Sequence, residues 1–232
     1  MKGKIKSFLK QRPLLLKYAR LVYDRSLWGY SYKKRVRGSS NKIEIGKTSI
    51  LSKCRFKIQG KNNLIQIGES NILRNVTFYV KGDNNHINLE DSVQFNRDGL
   101  IWVEDYECSI EVGEKTTFEG THLAATEPHS KISIGNDCMF AYDIDVRTGD
   151  SHSILDLESG NRINYAEDVI IGNHVWVGSH VSILKGTEIN KNSIVATRSV
   201  VTKTFLEKNV VIGGSPARII KKGVDWDRRR LA

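Results

Sequence analysis

The sequence predicts an all-β chain wound as a parallel β-helix, and two periodicities with one interruption predict it. From Ile171 onward an aliphatic residue returns every six positions, at Ile171, Val177, Ile183, Ile189, Val195 and Val201. Upstream, a short aliphatic-x-aliphatic pattern ending in Gly or Glu recurs with third residues Ile45, Ile67, Leu89, Val112 and Ile134, spaced 22, 22, 23 and 22 apart. The interval from Ile134 to Ile171 is 37, so one coil carries about fifteen inserted residues, between roughly Ser153 and Asp168. A period of six fits neither the 3.6 of a helix nor a half-exposed strand. It suits a triangular coil in which each hexad forms one flat face and its aliphatic residue points to a crowded axis.

The elements follow in chain order. Residues 1–40 hold twelve Lys/Arg and one acid, Asp24, so this arm carries +11 of the formal +10 and the remaining 192 residues sum to about −1. Phe8, Leu9, Leu15, Leu16, Tyr18, Ala19, Leu21 and Val22 give it an imperfect helical apolar stripe. A basic helical arm that touches an anionic membrane surface or packs on a sister subunit is the expectation. No nucleic-acid motif follows it. The coils run from about Ile43 to Phe205 within a 41–206 domain, about seven in all. In the upstream coils four residues enlarge one corner, with Gly60-Lys61-Asn62-Asn63 and Gly82-Asp83-Asn84-Asn85 supplying the turn. Further hydrophobic or small residues at +6 and +12, such as 67, 73, 79 and 134, 140, 146, should face inward. The insertion at 153–168 leaves the prism as a protruding loop. In the downstream hexads Val175, Val181, Thr187, Ser193 and Ser199 fill a second, small inward position, with the larger Phe205 as the exception. Residues 207–232 close the structure.

Composition limits the class. At 39% hydrophobic and 8% aromatic the chain is too apolar for disorder and too polar for a membrane-embedded protein. The longest apolar run near the start, Pro13 to Leu16, is cut by Lys17 and Arg20. It is far short of the roughly 20 residues of a spanning helix and weak as a signal-peptide core. Cys54, Cys108 and Cys138 are odd in number and form no Cys-x-x-Cys pair, which argues against a disulfide framework and a cysteine zinc site. A protein of the reducing cytoplasm is expected, peripheral to the inner face of the membrane if the arm binds there.

Two stretches carry a resemblance: Arg147-Thr148-Gly149-Asp150-Ser151-His152-Ser153-Ile154, and Ile171-Gly172-Asn173-His174-Val175-Trp176-Val177-Gly178 continuing to Gly213-Gly214-Ser215-Pro216-Ala217-Arg218. They resemble the hexapeptide-repeat acyltransferases of left-handed β-helix fold, most nearly the branch that O-acetylates capsule and other surface glycans. The resemblance is strong over 130–222, weaker over 41–129 and absent over 1–40. It implies a left-handed coil, an exception to the right-handed crossover rule, a homotrimer, and acetyl-CoA lying between neighbouring prisms.

Moving an acetyl group from a thioester to a sugar hydroxyl needs a base for the hydroxyl proton and donors for the charge that grows on the carbonyl oxygen. His152 is the candidate base, because imidazole titrates near neutrality and the residue opens the inserted loop. The family's catalytic histidine falls at this position. Asp150, two residues earlier, shares a side with His152 in an extended segment and either orients the imidazole or forms the Thr-Gly-Asp-Ser turn. Trp176 precedes the inward Val177 and therefore points outward, where an interface or a flat ligand would explain it. The resemblance implies a place beside the acetyl donor. Gly178 and Ala196, 18 apart, should stack on adjacent coils and leave their amides open to a pantetheine arm, with Ser179 and Thr197 stacked alongside. The resemblance further implies that Lys203 and Arg218 clamp the adenosine phosphates, a task that charged side chains suit.

His174 and His180, six apart, fall on different faces and share no metal within one chain. His86, His122 and His129 are expected near exposed corners, and no metal site is anticipated. Cys138 takes an inward position, so direct attack in a ternary complex is expected instead of an acyl-cysteine. The functional expectation is O-acetylation of a bacterial surface polysaccharide or its lipid-linked precursor, with His152 as base. An N-acyltransferase for a nucleotide-linked amino sugar, and a metal-dependent or non-enzymatic β-helix, are the alternatives.

Overall fold

The computed structural model describes residues 31–231 together with Val22. Three parallel sheets of eight, seven and nine strands form the walls of a left-handed β-helix. Each strand pairs with its counterpart one coil away, and the one antiparallel pair among the named strands is Val210–Gly214 with Ala217–Lys222. Ile171, Val177, Ile183, Ile189, Val195 and Val201 are all buried, and so are Val175, Val181, Thr187, Ser193, Ser199 and Phe205. Both hexad positions therefore point at the axis. They are small because three faces converge there.

The extra residues of the upstream coils lie mainly in a wall, which corrects the enlarged-corner expectation. Strands Tyr32–Arg37, Cys54–Gln59, Val76–Lys81, Gly99–Glu104 and Thr121–Thr126 each span six residues on one wide face. That face narrows through Ile144–Arg147 to the two-residue strands Ser182–Ile183 and Val200–Val201. A longer strand adds a further inward position, so Val76, Phe78 and Val80 are buried and Tyr79 points outward, opposite to its expected direction. The coil also begins earlier than Ile43. Tyr32–Arg37 pairs in full register with Cys54–Gln59, so the end of the basic stretch is strand and not helix. The helical and membrane-surface expectations for 1–30 lie outside the described residues, Val22 excepted.

The wider core is filled by aromatic stacks one coil apart. Phe56 lies 4.7 Å from Phe78, Phe95 4.3 Å from Phe118, and Phe118 4.7 Å from Phe140, between ring centroids. The Gly-x-Asn-Asn turns close one corner as anticipated. Asn62 and Asn84 take positive φ of 57° and 59°. The following Asn63 and Asn85 are buried and form an amide ladder: the Asn85 amide nitrogen donates to Asn63 Oδ1 at 3.0 Å, and the Cys108 amide to Asn85 Oδ1 at 2.9 Å. Gly82 has φ 128°, and a Cβ there would stand 1.6 Å from the Asp105 carbonyl oxygen, so the turn needs glycine.

Candidate active site

The inserted loop leaves the prism after Ile144–Arg147 and folds back over the wide face. Asn164, almost fully buried, holds its base. Its Nδ2 donates to the His152 carbonyl at 2.8 Å and to Asp150 Oδ2 at 2.9 Å, while its Oδ1 accepts from the Ile154 amide at 2.7 Å. Arg162 reaches across to Glu127 Oε1 at 2.5 Å and ties the loop to the corner after Thr121–Thr126. Under this loop is a cleft of about 540 Å³ lined by Trp102, His122, Glu127, Arg147, His152 and Arg162, among others. Neither Asn164 nor Arg162 was singled out by sequence reasoning. Apart from the bonds they make to each other, their partners lie 10 to 35 positions away, and no period marks them.

His152 is exposed at this cleft, and its ring makes no hydrogen bond among the described residues. A ring so placed is open to an incoming hydroxyl. Asp150 does not orient it. Its Oδ2 accepts from Lys185 Nζ at 2.6 Å, and that hydrogen bond, with Asn164 adding to it against partial burial, holds the carboxyl below its usual range. The shared side expected of an extended segment is lost because Ser151 turns the chain at φ 65°.

His122 departs from the expected corner position. It lies within strand Thr121–Thr126 on the wide face, half-buried, its Nδ1 3.0 Å from Asp145 Oδ1 and its ring 6.2 Å from that of Trp102. Asp145 also accepts from Arg147 Nε at 2.7 Å. Burial opposes ionisation of that carboxyl, yet the His122 and Arg147 contacts hold it below its usual range. His86 likewise sits within a strand, its Nε2 3.0 Å from Gln66 Oε1, whereas His129 is an exposed corner residue as expected.

Trp176 points outward from strand Trp176–Val177, as expected, but does not line the His152 cleft within one chain. It lies on the third wall beside Trp226, with ring centroids 6.2 Å apart. Gly178 and Ala196 follow Val177 and Val195, which pair across one coil. Their amides are not open. Gly178 N donates to the Val195 carbonyl and Ala196 N to the Ile212 carbonyl, both at 2.8 Å, because each still belongs to the inter-coil ladder. The available donors are one residue on: Ser179 and Thr197 give their amides to no acceptor among the described residues. Two outward amides one coil apart, about 4.8 Å, suit the amide carbonyls of a pantetheine arm. Exposed Lys203 and Arg218 have no carboxylate partner among the described residues, which suits phosphate.

Cys54, Cys108 and Cys138 are free and buried, and burial pushes the Cys138 thiol up to about 11, which unfits it as a nucleophile. His174 and His180 each pair with an aspartate, Asp137 and Asp143, at 2.8 Å. Among the described residues no group of three or more His, Cys, Asp or Glu is placed to hold a metal ion.

A prism of parallel coils with an imidazole open at a side cleft suits an acyltransferase of the hexapeptide type, and similarity to known proteins assigns that class. The profile described as bacterial transferase hexapeptide (six repeats) matches residues 168–203. A polysialic acid O-acetyltransferase of Neisseria meningitidis is 39% identical over 131 residues, 56% of this chain. That alignment spans 60% of the relative's own length. The crystal structure of the polysialic acid O-acetyltransferase OatWY superposes with a TM-score of 0.79 at 36% identity, covering 86% of this chain and 93% of that one. NeuO, a polySia-specific acetyltransferase, superposes with a TM-score of 0.78 at 31% identity, covering 87% and 91%. The chain therefore belongs to the hexapeptide-repeat acetyltransferases of left-handed β-helix fold, in the family that contains OatWY and NeuO.

Proposed function

We propose that this protein transfers an acetyl group from acetyl-CoA to a hydroxyl of an acidic bacterial surface polysaccharide. His152 takes the hydroxyl proton as the sugar oxygen attacks the thioester carbonyl, and the proton passes to the departing thiol in a single ternary complex. The observation that carries the acceptor is a column on the wide face. Inter-coil register stacks Arg35, Lys57, Tyr79, Trp102, Ala124 and Arg147 on successive strands, ending at the His152 cleft. Arg35, Arg37 and Lys57 have no carboxylate partner among the described residues, and with Tyr79 they line a pocket of about 210 Å³. Tyr79 and Trp102 continue the track with ring centroids 4.9 Å apart. Five strand intervals of about 4.8 Å make roughly 24 Å, long enough for several sugar units. Cations for carboxylates and rings for sugar faces suit a polymer better than a free monosaccharide.

Reversing two of these charges, Arg35→Glu with Lys57→Glu, should raise KM for polysialic acid about tenfold or more at low salt. Added salt should shrink the difference. An unchanged KM would move the acceptor off this face. Mild-alkali release of the transferred acetyl, read by mass spectrometry, separates an ester from the amide an N-acyltransferase would make.

Two further parts belong to this reading. Trp176 lies outside the cleft of its own chain, and the loop exposes Leu157, Ile163 and Tyr165, at 98%, 62% and 62%. A homotrimer that covers the loop and brings the donor groove to a neighbour's His152 accounts for both, and light scattering would count the copies. The basic arm motivates cytoplasmic action at the inner membrane face on a polymer or its lipid-linked precursor. Removing residues 1–30 should release the protein from anionic vesicles while sparing thioester cleavage, and full retention on the vesicles would end that idea.

A further inference from the structure

The C-terminal segment beyond Ala217–Lys222 contributes to no sheet, yet it is fastened to the third wall at both ends. At one end Val224 N donates to the Asn209 carbonyl at 3.0 Å, and Asn209 Nδ2 returns a bond to the Val224 carbonyl at 3.1 Å. At the other, Arg228 donates to Asp137 Oδ1 at 2.9 Å, the Cys138 carbonyl at 2.7 Å and Thr117 Oγ1 at 2.9 Å, so one guanidinium grips two coils. Between these anchors Trp226 lies flat on the His174 ring, 4.1 Å away and 7° from parallel. Trp226 Nε1 donates to the His174 carbonyl at 2.9 Å. His174 faces an acceptor at each nitrogen, Asp137 Oδ2 at 2.8 Å and the Trp226 carbonyl at 3.0 Å, with Asp225 Oδ1 at 3.5 Å.

This segment is held against the third wall from two sides. The indole it fixes is only 9% exposed; the Arg228 guanidinium lies over its ring at 5.6 Å, and the Trp176 ring stands 6.2 Å away. A tryptophan on a two-residue strand, with solvent on its outer side, has several rotamers open to it. Trp226 blocks one side of that space.

We propose that the strap 224–229 is a positioning device, in which Trp226, clamped by His174 and Arg228, holds the Trp176 indole in one orientation beside the acetyl donor. This rests on the donor-side role of Trp176 given above. Trp226 is a positioning residue that acts through Trp176 and touches neither substrate.

The test uses the full-length chain, acetyl-CoA as donor and polysialic acid as acceptor. Trp226→Ala should lower kcat about tenfold or more, since small misplacements of a reacting site carry that cost, and leave KM for polysialic acid within about twofold. Trp226→Phe keeps a ring against Trp176 and should recover most of the loss. Arg228→Gln, which leaves both tryptophans in place, should give an intermediate loss without a large fall in melting temperature. In a Trp176→Ala background, Trp226→Ala should cost nothing further, because coupled residues are not additive. Acrylamide quenching of tryptophan fluorescence should rise in Arg228→Gln, a readout that needs no acceptor. Equal losses in both backgrounds, a Phe variant as poor as Ala, or unchanged quenching would overturn the strap's role. Absence of turnover on polysialic acid by the wild-type chain would instead reject the proposed acceptor, with the quenching result still deciding the strap.

Discussion

Replacing His152 with alanine should cut the rate of acetyl transfer by about 10²- to 10⁴-fold, the usual size of a general-base contribution. The fold should not notice. His152 is exposed, and the loop is held by the Asn164 contact to its backbone carbonyl, which alanine keeps. The melting temperature should therefore stay within about 2 °C, as for most surface substitutions. Asp150→Asn should cost much less than the loss of the base, because Asp150 is bound to Lys185 and Asn164 and not to the imidazole. Steady-state kinetics with a thermal melt check both statements. Turnover near the wild-type rate in His152→Ala would remove the base from the scheme, and His122, which lines the same cleft and is backed by Asp145, would be the next residue to examine.

The largest effect on stability is expected from Phe118→Ala. Phe118 is fully buried and stacked on both sides, 4.3 Å from Phe95 and 4.7 Å from Phe140, so no neighbour is free to collapse into the space. Removing the ring should cost about 3–5 kcal/mol, transfer and cavity effects together. For a chain of this size that lowers the melting temperature by roughly 6–20 °C. In a solenoid each coil supports its neighbours, so the damage should spread along the prism. Thermal unfolding followed by circular dichroism reads it. A shift under about 2 °C would mean that the central coils repack, contrary to close packing.

The same stacks explain why the fold was legible in advance. Each coil repeats one demand, a small or apolar side chain at the axis, and the demand is written at fixed intervals whatever the rest of the chain does. The hexads from Ile171 to Val201 met it at every position. Tyr79 shows where this reading stopped. A count of six assumed three equal walls, whereas strand Val76–Lys81 is six residues long and turned the tyrosine outward. The outward tyrosine is part of the column that reaches the cleft. Local sequence also points to His152, and of the two readings it leaves for Asp150 the structure fits the turn: two residues of separation matter less than Lys185, which lies 35 away in sequence and 2.6 Å away in space.

By itself, then, the order of residues determined the parallel coil, its interruption by an insertion at about 153–168, the inward side chains of the hexads from Ile171 to Val201 and the place of the loop histidine, because axial crowding and strand pairing act every six or twenty-two positions. Only the tertiary structure decided what the outward residues do. Arg35, Lys57, Tyr79 and Trp102 become one track through coil stacking, Asn164 and Arg162 close a cleft through a loop folded back, and Trp226 meets His174 across 52 residues. Outward positions carry no periodic constraint, so their neighbours are fixed by the register and closure of the folded chain.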